Sequence, residues 1–224
     1  MCNGQLKIVT LAPELDNAEA LIRLLRGYNI VASCGHTEAN YNITKRSLEQ
    51  GISSFTHLWN MSGPIQSREP GVVGAALESD AYIELVADGY HVHSTNIKNT
   101  LAIKKHDKVC LVTDAMIVTG TDKKTYSFMG IDNIQVINGR TSGPNNAIIG
   151  SILTLDKAVQ NVHSWTSIDL ADIVKMVTEN PAKLVGIYPQ KGVIKEGSDA
   201  DISIFSSDMA CLSTYVNGEI VFGK

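Results

Sequence analysis

Within residues 6–115, five short apolar runs alternate with amphipathic stretches, and that alternation leaves few folds open. The runs are LKIVTLAPE (6–14), NIVASCGH (29–36), SSFTH (53–57), AYIELVADG (81–89) and KVCLVTDA (108–115). Between them, AEALIRLLRGY (18–28) carries Leu and Ile on one stripe, and NYNITKRSLEQG (40–51) ends on Gly51 as a C-cap. STNIKNTLAIKK (94–105) opens on a Ser or Thr cap. Apolar strands separated by helices predict a parallel sheet covered on both faces. An open doubly wound sheet and a (β/α)8 barrel both satisfy this. The strand ends choose between them. The runs finish at Glu14, His36, His57, Asp88 and Asp114, so reactive side chains stand at the carboxyl ends of successive strands. In a barrel such groups converge on one rim, whereas an open sheet gathers its site at one switch point. No GxGxxG or GxxxxGKS loop is present. Five strands do not close a barrel, so the expected fold is α/β, a partial (β/α)8 TIM-type barrel.

After Ala115 the texture changes. Residues 116–150 are rich in Gly, Thr, Asn and Asp, with extended pieces at TYSFMG and NIQVING, and read as a loop with a hairpin. LTLDKAVQNVH (153–163) reads as a helix, and SIDLADIVKMVTENPAKLVGI (167–187) as two helices broken at Pro181. The tail alternates short strands with turn residues, and Asn217-Gly218 is a hairpin signal. The expected organisation is a barrel portion over 1–187 and a small β segment over 188–224.

Composition narrows the function. Hydrophobic residues are 44% and charged residues 19%, enough core and too little charge for a disordered chain. The net charge of −4, without a Lys/Arg cluster or an aromatic RNA-binding motif, argues against a nucleic-acid partner. An anionic small molecule remains compatible, because one well-placed Arg holds a phosphate. Cys2, Cys34, Cys110 and Cys211 form no CxxC pair, so a Cys-ligated zinc is not expected. Most lie in or beside apolar runs, as suits reduced thiols in a cytoplasmic protein. No run of about 18 apolar residues predicts a membrane span, and MCNGQLKIVT has neither signal-peptide nor transit-peptide character.

His36, His57 and Asp114 form the main constellation. If each ends a barrel strand, two imidazoles stand on neighbouring strands with a carboxylate across the rim. Neutral imidazoles suit Zn2+ or Fe2+, and a carboxylate near an activated water can take its proton. Singly, each is equally an ordinary strand-terminal hydrogen-bonding group. Together, at three strand ends, they favour a site.

VTLAPE (9–14), CGHTEANY (34–41), THLWNMSG (56–63), SREPGVVGA (67–75), VADGYHV (86–92), LVTDAM (111–116) and IIGSILTL (148–155) occur in the order seen in the N-acetylglucosamine-6-phosphate deacetylase family. TENPAKLVGI (178–187) and KGVIKEGSDADISIF (191–205) resemble the C-terminal pattern of amidohydrolases more widely. The resemblance covers nearly the whole chain. It implies that the barrel strands present are about the fourth to the eighth, and that the tail is a segment of the amidohydrolase β-sandwich. It implies a divalent metal, Zn2+ or Fe2+, bound by His36 and His57, with Asp114 as general base and then acid. It implies that Asn60 and its neighbour Met61 contact the sugar, and that Arg68 and His91 contact the 6-phosphate, one subunit of a homodimer reaching into the other's site. The implied reaction is hydrolysis of an amino-sugar phosphate's acetamide to glucosamine 6-phosphate and acetate.

Two departures from the family pattern carry expectations of their own. The family has three further strands before VTLAPE and a third metal ligand, a Glu, on one of them, so the chain is expected to be N-terminally truncated. Glu14 is the nearest carboxylate that could lean in instead. The family's Ala after the sugar-binding Asn is Met61 here. The alternative reading is a non-catalytic module that binds an amino-sugar phosphate through Asn60, Arg68 and His91. A dihydroorotase-like or adenine-deaminase-like enzyme is disfavoured, since no Lys stands at a strand end for carboxylation.

Overall fold

A computed structural model describes residues 2–223 of the chain. Its central layer is a sheet of β1 (Ile8–Leu11), β2 (Val31–Cys34), β3 (Ile52–Phe55), β4 (Tyr82–Val86) and β5 (Val109–Val112), hydrogen-bonded in that order. Every neighbouring pair is parallel. Each new strand is added on the same side of the last, without the reversal of a doubly wound sheet. Right-handed crossovers then place the helices on one face. They are α1 (Ala18–Gly27), α2 (Tyr41–Gln50), α3 (Gly71–Glu78), α4 (Ser94–Ile103), α5 (Leu155–Trp165), α6 (Leu170–Lys175) and α7 (Glu179–Leu184), and from α1 to α6 each lies beside the next. This is the wall of a (β/α) barrel, open at β1 and β5.

The core lies between sheet and helices. Ile22 and Leu25 of α1, Ala32 and Cys34 of β2, Ile83 and Leu85 of β4, and Val109 and Leu111 of β5 are all buried there. Strand alternation puts their neighbours on the other face: Thr10, Ser33, Ser54, Glu84 and Cys110. The inner face is therefore mostly small and polar. Thr56 Oγ1, just past β3, ties Thr10 Oγ1 (2.8 Å) and Ser33 Oγ (2.7 Å) into one chain.

Several local expectations need correction. Helix α3 was not expected. Its sequence GVVGAALE is buried at Gly71, Val72, Val73, Ala75 and Ala76, so no polar stripe advertises a helical period. Helix α4 is capped by His93, whose Nδ1 accepts the Thr95 N–H at 3.2 Å; Ser94 and Thr95 fall inside the first turn. Pro181 does not break a helix. It sits in the first turn of α7, where its missing N–H costs nothing, and the break falls before Glu179. The hairpin of 116–150 is a three-stranded antiparallel meander of β6 (Thr125–Phe128), β7 (Ile131–Ile137) and β8 (Arg140–Ser142).

The tail forms a separate antiparallel sheet of β9 (Ile202–Phe205), β10 (Cys211–Val216) and β11 (Glu219–Gly223), ordered β11-β10-β9. Asn217 (φ 51°) and Gly218 (φ 81°) both take the left-handed conformation that a tight two-residue turn requires. Among the described residues no helix is long and apolar enough to cross a membrane.

Candidate functional site

The strands end earlier than the apolar runs suggest, and the offset is regular. His36, His57, Asp88 and Asp114 each stand two residues beyond the last residue of β2, β3, β4 and β5. Three of them leave the strand through the left-handed region: φ is 51° at His36, 30° at His57 and 50° at Asp114. Non-glycine residues adopt this conformation rarely, at a cost of about 1–3 kcal/mol, and such strain persists only where the surroundings impose it.

The surroundings can be named for each. At His36 the wall is tight: a Cβ on Gly35 would lie 2.8 Å from Thr56 Cβ and 3.0 Å from Thr10 Cγ2, so only glycine fits. Just past it, the Thr37 N–H donates to Met61 O at 2.9 Å. Glu14 accepts the Thr37 hydroxyl on one oxygen and the Glu38 N–H (2.7 Å) on the other. Glu14 is thus a brace for the His36 turn, with both oxygens engaged, rather than a free ligand. At His57, the next N–H, that of Leu58, donates to Glu84 O at 2.8 Å, and His57 O accepts the Asn60 N–H at 3.0 Å. At Asp114, the carbonyl accepts the Ser151 N–H (2.7 Å) and Ser151 O accepts the Met116 N–H (2.8 Å). The buried Ser151 hydroxyl donates to Thr113 O and accepts the Leu153 N–H at 2.9 Å. Gly150 (φ 64°) makes this contact possible, since a Cβ there would lie 2.4 Å from Met116 Sδ and 3.0 Å from Asp114 O.

These turns bring His36 and His57 together. Their Nε2 atoms are 2.9 Å apart, with ring planes at 73°. Burial pushes the His57 ring below the ordinary imidazole range, and the neighbouring His36 adds to this, so the neutral, ligating form is favoured. Two facing ring nitrogens at this separation can bind one ion at the usual distance of about 2.0–2.1 Å from each. The fit extends to two ligands. Among the described residues no group of three or more His, Cys, Asp and Glu side chains gathers as a metal set. The cysteines do not fill the gap, because burial pushes the Cys34 and Cys110 thiols up to about 12 and keeps them protonated.

Asp114 stands beside this pair, its side chain 43% exposed and its Oδ2 3.8 Å from His91 Nε2. The His91 ring is buried against Asp88, with Nδ1 2.6 Å from Asp88 Oδ2. Glu84 faces the same side of the sheet. Burial raises its carboxyl above the ordinary range, and the charge of Asp114 adds to that, against an opposing hydrogen bond from the His57 backbone.

Of the residues read from sequence, His36, His57, Asp114 and His91 come together. Asn60 turns back on its own loop, its Nδ2 donating to His57 O at 3.2 Å. Met61 is 67% exposed. Arg68 is exposed on the loop before α3, and no contact ties it to the histidines or Asp114 among the described residues. Glu69 shapes that loop, its Oε1 accepting the N–H groups of Tyr41 (2.8 Å) and Gly71 (2.9 Å). Sequence reading gave no role to Asp88 or Ser151, and offered Glu14 as a metal ligand where the structure makes it a brace. Asp88 was visible as a strand-terminal carboxylate three residues before a histidine; the partners of Glu14 and the Thr113 carbonyl that Ser151 reaches lie 23 or more residues away and left no local signal.

A parallel (β/α) wall with imidazoles and carboxylates past consecutive strand ends defines a class, and the match to known families agrees: the chain belongs to the amidohydrolase family, whose model matches residues 9–221. Within it, the chain is 38% identical over 221 residues to the N-acetylglucosamine-6-phosphate deacetylase of Bacillus subtilis, covering 98% of this chain and 55% of that protein. The crystal structure of the Pasteurella multocida deacetylase superposes with a TM-score of 0.91 at 34% identity, covering 96% of this chain and 56% of that one. A mutant of the Mycobacterium smegmatis enzyme, in complex with N-acetyl-D-glucosamine-6-phosphate, superposes with a TM-score of 0.92 at 31% identity, covering 98% and 58%. The chain thus spans about half the length of the relatives it matches.

Proposed function

We propose that this chain carries the hydrolytic deacetylation of N-acetylglucosamine 6-phosphate to glucosamine 6-phosphate and acetate. The observation that carries the reading is the meeting of His36 Nε2 and His57 Nε2 at 2.9 Å, beside Asp114 on the same rim. A divalent ion held by the two imidazoles, Zn2+ or Fe2+, would acidify a water to a pKa near about 7 and polarise the acetamide carbonyl. Asp114 accepts the proton of the attacking water and then delivers it to the departing amine nitrogen, so one carboxylate serves as base and acid in turn. Its exposure keeps it ready for exchange with substrate. Asn60 and Met61 border the sugar, and Arg68 and His91 meet the 6-phosphate, Arg68 through its bidentate guanidinium. An exposed loop suits an arginine that serves a partner copy, so the reading includes a homodimer.

One observation favours a second reading. A catalytic zinc ordinarily keeps three protein ligands, and two imidazoles are the set gathered among the described residues. A binding-only module would keep the amino-sugar-phosphate contacts without turnover. Acetate release from N-acetylglucosamine 6-phosphate by the purified chain, with added Zn2+ or Fe2+ and with chelator, separates the two. Metal-dependent release is the expected result. Calorimetric binding of the sugar phosphate without release under any metal would replace hydrolysis with binding alone.

A further inference from the structure

The loop between β4 and α4 holds a carboxylate for which the proposed reaction has no use. Asp88 is 7% exposed, as is the His91 ring it touches. Both of its oxygens are committed. Oδ1 accepts the backbone N–H groups of Tyr90 and His91, each at 2.8 Å, and Oδ2 lies 2.6 Å from His91 Nδ1. Two backbone donors on one oxygen fix the plane of the carboxylate, and the ring must follow it. The loop is itself anchored on two sides: Asn161 Nδ2 donates to Ala87 O at 2.9 Å, and the Tyr90 hydroxyl donates to Asn138 O at 2.6 Å. Burial would raise the Asp88 carboxyl, but the His91 ring and the two N–H groups hold it below the ordinary range. An ionised carboxylate is an acceptor only. A neutral imidazole has one N–H, and against such an oxygen that proton belongs on Nδ1. The remaining nitrogen, Nε2, lies 3.8 Å from Asp114 Oδ2.

We infer that Asp88 is a positioning residue: it locks His91 in the Nδ1–H tautomer and turns the bare Nε2 toward the substrate, beside Asp114. At 3.8 Å the two atoms nearly touch, so a substrate atom hydrogen-bonded to both sits to one side of the line joining them. A bare Nε2 accepts a hydrogen bond from a sugar hydroxyl and, once protonated, donates to an anion. What Nε2 meets rests on the function proposed above; the tautomer does not.

Asp88→Asn tests this without dismantling the loop. The amide oxygen keeps the two backbone N–H groups, and the NH2 group falls opposite Nδ1. A donor there forces the ring proton to Nε2, so the loop survives and the tautomer inverts. The same logic makes an aspartate-to-asparagine change damaging in serine-protease triads. The measurement is a long-range 1H–15N correlation spectrum of the full chain labelled at histidine, at a pH where the His91 ring is neutral, assigned with His91→Gln. The expected result is Nδ1–H in the wild type and Nε2–H in Asp88→Asn, with kcat for acetate release down about 10–100-fold and the thermal midpoint unchanged. An Nε2–H tautomer in the wild type overturns the inference, even if the variant fails to fold. So does an unchanged tautomer in a folded variant, and so does an inverted tautomer with wild-type kcat. If the wild type releases no acetate, the proposed reaction falls, and the two spectra alone decide the role of Asp88.

Discussion

His36, His57 and Asp114 all pay for their positions in backbone strain, and the groups that hold them can be tested one at a time. Asp114 is the proton carrier of the proposed reaction. Asp114→Asn is expected to lower acetate release by about 10²–10⁴-fold while leaving the melting temperature in place; a variant with wild-type turnover would remove Asp114 from the chemistry. Ser151 acts one step back, through the Asp114 backbone. Ser151→Ala leaves Thr113 O without its hydroxyl donor and the Leu153 N–H without its acceptor. The expected loss is about 1–3 kcal/mol of stability, read by urea denaturation. Arg68 is exposed and engaged with nothing else at the site, so Arg68→Ala should raise KM for the phosphorylated sugar and spare the unphosphorylated one. Equal effects on both sugars would take the phosphate away from Arg68.

At the scale of elements, α2, α4 and α6 each begin on a side chain that caps them. Asn40 accepts the Ile43 N–H at the start of α2 at 2.9 Å, so Asn40→Ala is expected to cost about 1 kcal/mol in the same denaturation assay. Helix α3 ends on a buried lysine. Lys104 Nζ donates to Ala76 O at 3.0 Å and to Ser79 O, and is 4% exposed. Burial lowers its pKa from 10.5 to about 8. Between those values the unfolded chain holds a proton that the folded one has released, so stability rises with pH across this window. Below about 8 both states are charged, and the folded state bears the whole cost of burying the ammonium. Relative to Lys104→Met, the wild type should gain up to roughly 3 kcal/mol between pH 8 and 10.5. The two carbonyl acceptors stabilise the ammonium and make this an upper limit. A flat difference across that window would show that those acceptors hold the pKa near its ordinary value.

At the scale of the whole molecule, two features among the described residues stand open to a partner. The parallel sheet ends at β1 and β5. Strand β5 is covered in part, the Leu111 N–H donating to Met176 O at 2.9 Å and Val109 O accepting from Asn180 Nδ2 at 2.7 Å. Strand β1 is therefore the open edge, and unpaired strand edges are templates for association. In the tail sheet, Ile204, Phe205, Leu212, Ile220, Val221 and Phe222 are all exposed. Three of these are consecutive on β11, so that strand is uncovered on both faces. Apolar surface of this kind marks an association site. Sedimentation velocity on the chain is expected to show concentration-dependent association that Phe205→Lys with Phe222→Lys reduces. A monomer at tens of micromolar would show that this sheet and the β1 edge are tolerated in water.

The class of fold and the strand-end placement of the candidate residues were legible because their signals are local. Alternating apolar and amphipathic runs report strands and helices directly, and a polar residue closing a run reports a strand end. His36, His57 and Asp114 could be read for that reason, as could the Gly51 cap and the Asn217-Gly218 turn. Helix α3 could not, because a segment buried on nearly every side has no polar stripe to show its period. The true role of Pro181 depended on where α7 begins, which its own sequence does not mark. The tertiary structure alone decided which side chains meet. Whether His36 and His57 face one another depends on the register of β2 against β3, and on left-handed turns that Gly35, Glu14, Asn60 and Glu84 impose from elsewhere in the chain. Glu14 could be a ligand or a brace as far as sequence goes; the Thr37 and Glu38 hydrogen bonds make it a brace. Periodicity is a property of neighbours along the chain, so sequence determined the elements. A site is a property of neighbours in space, and only folding brings those together.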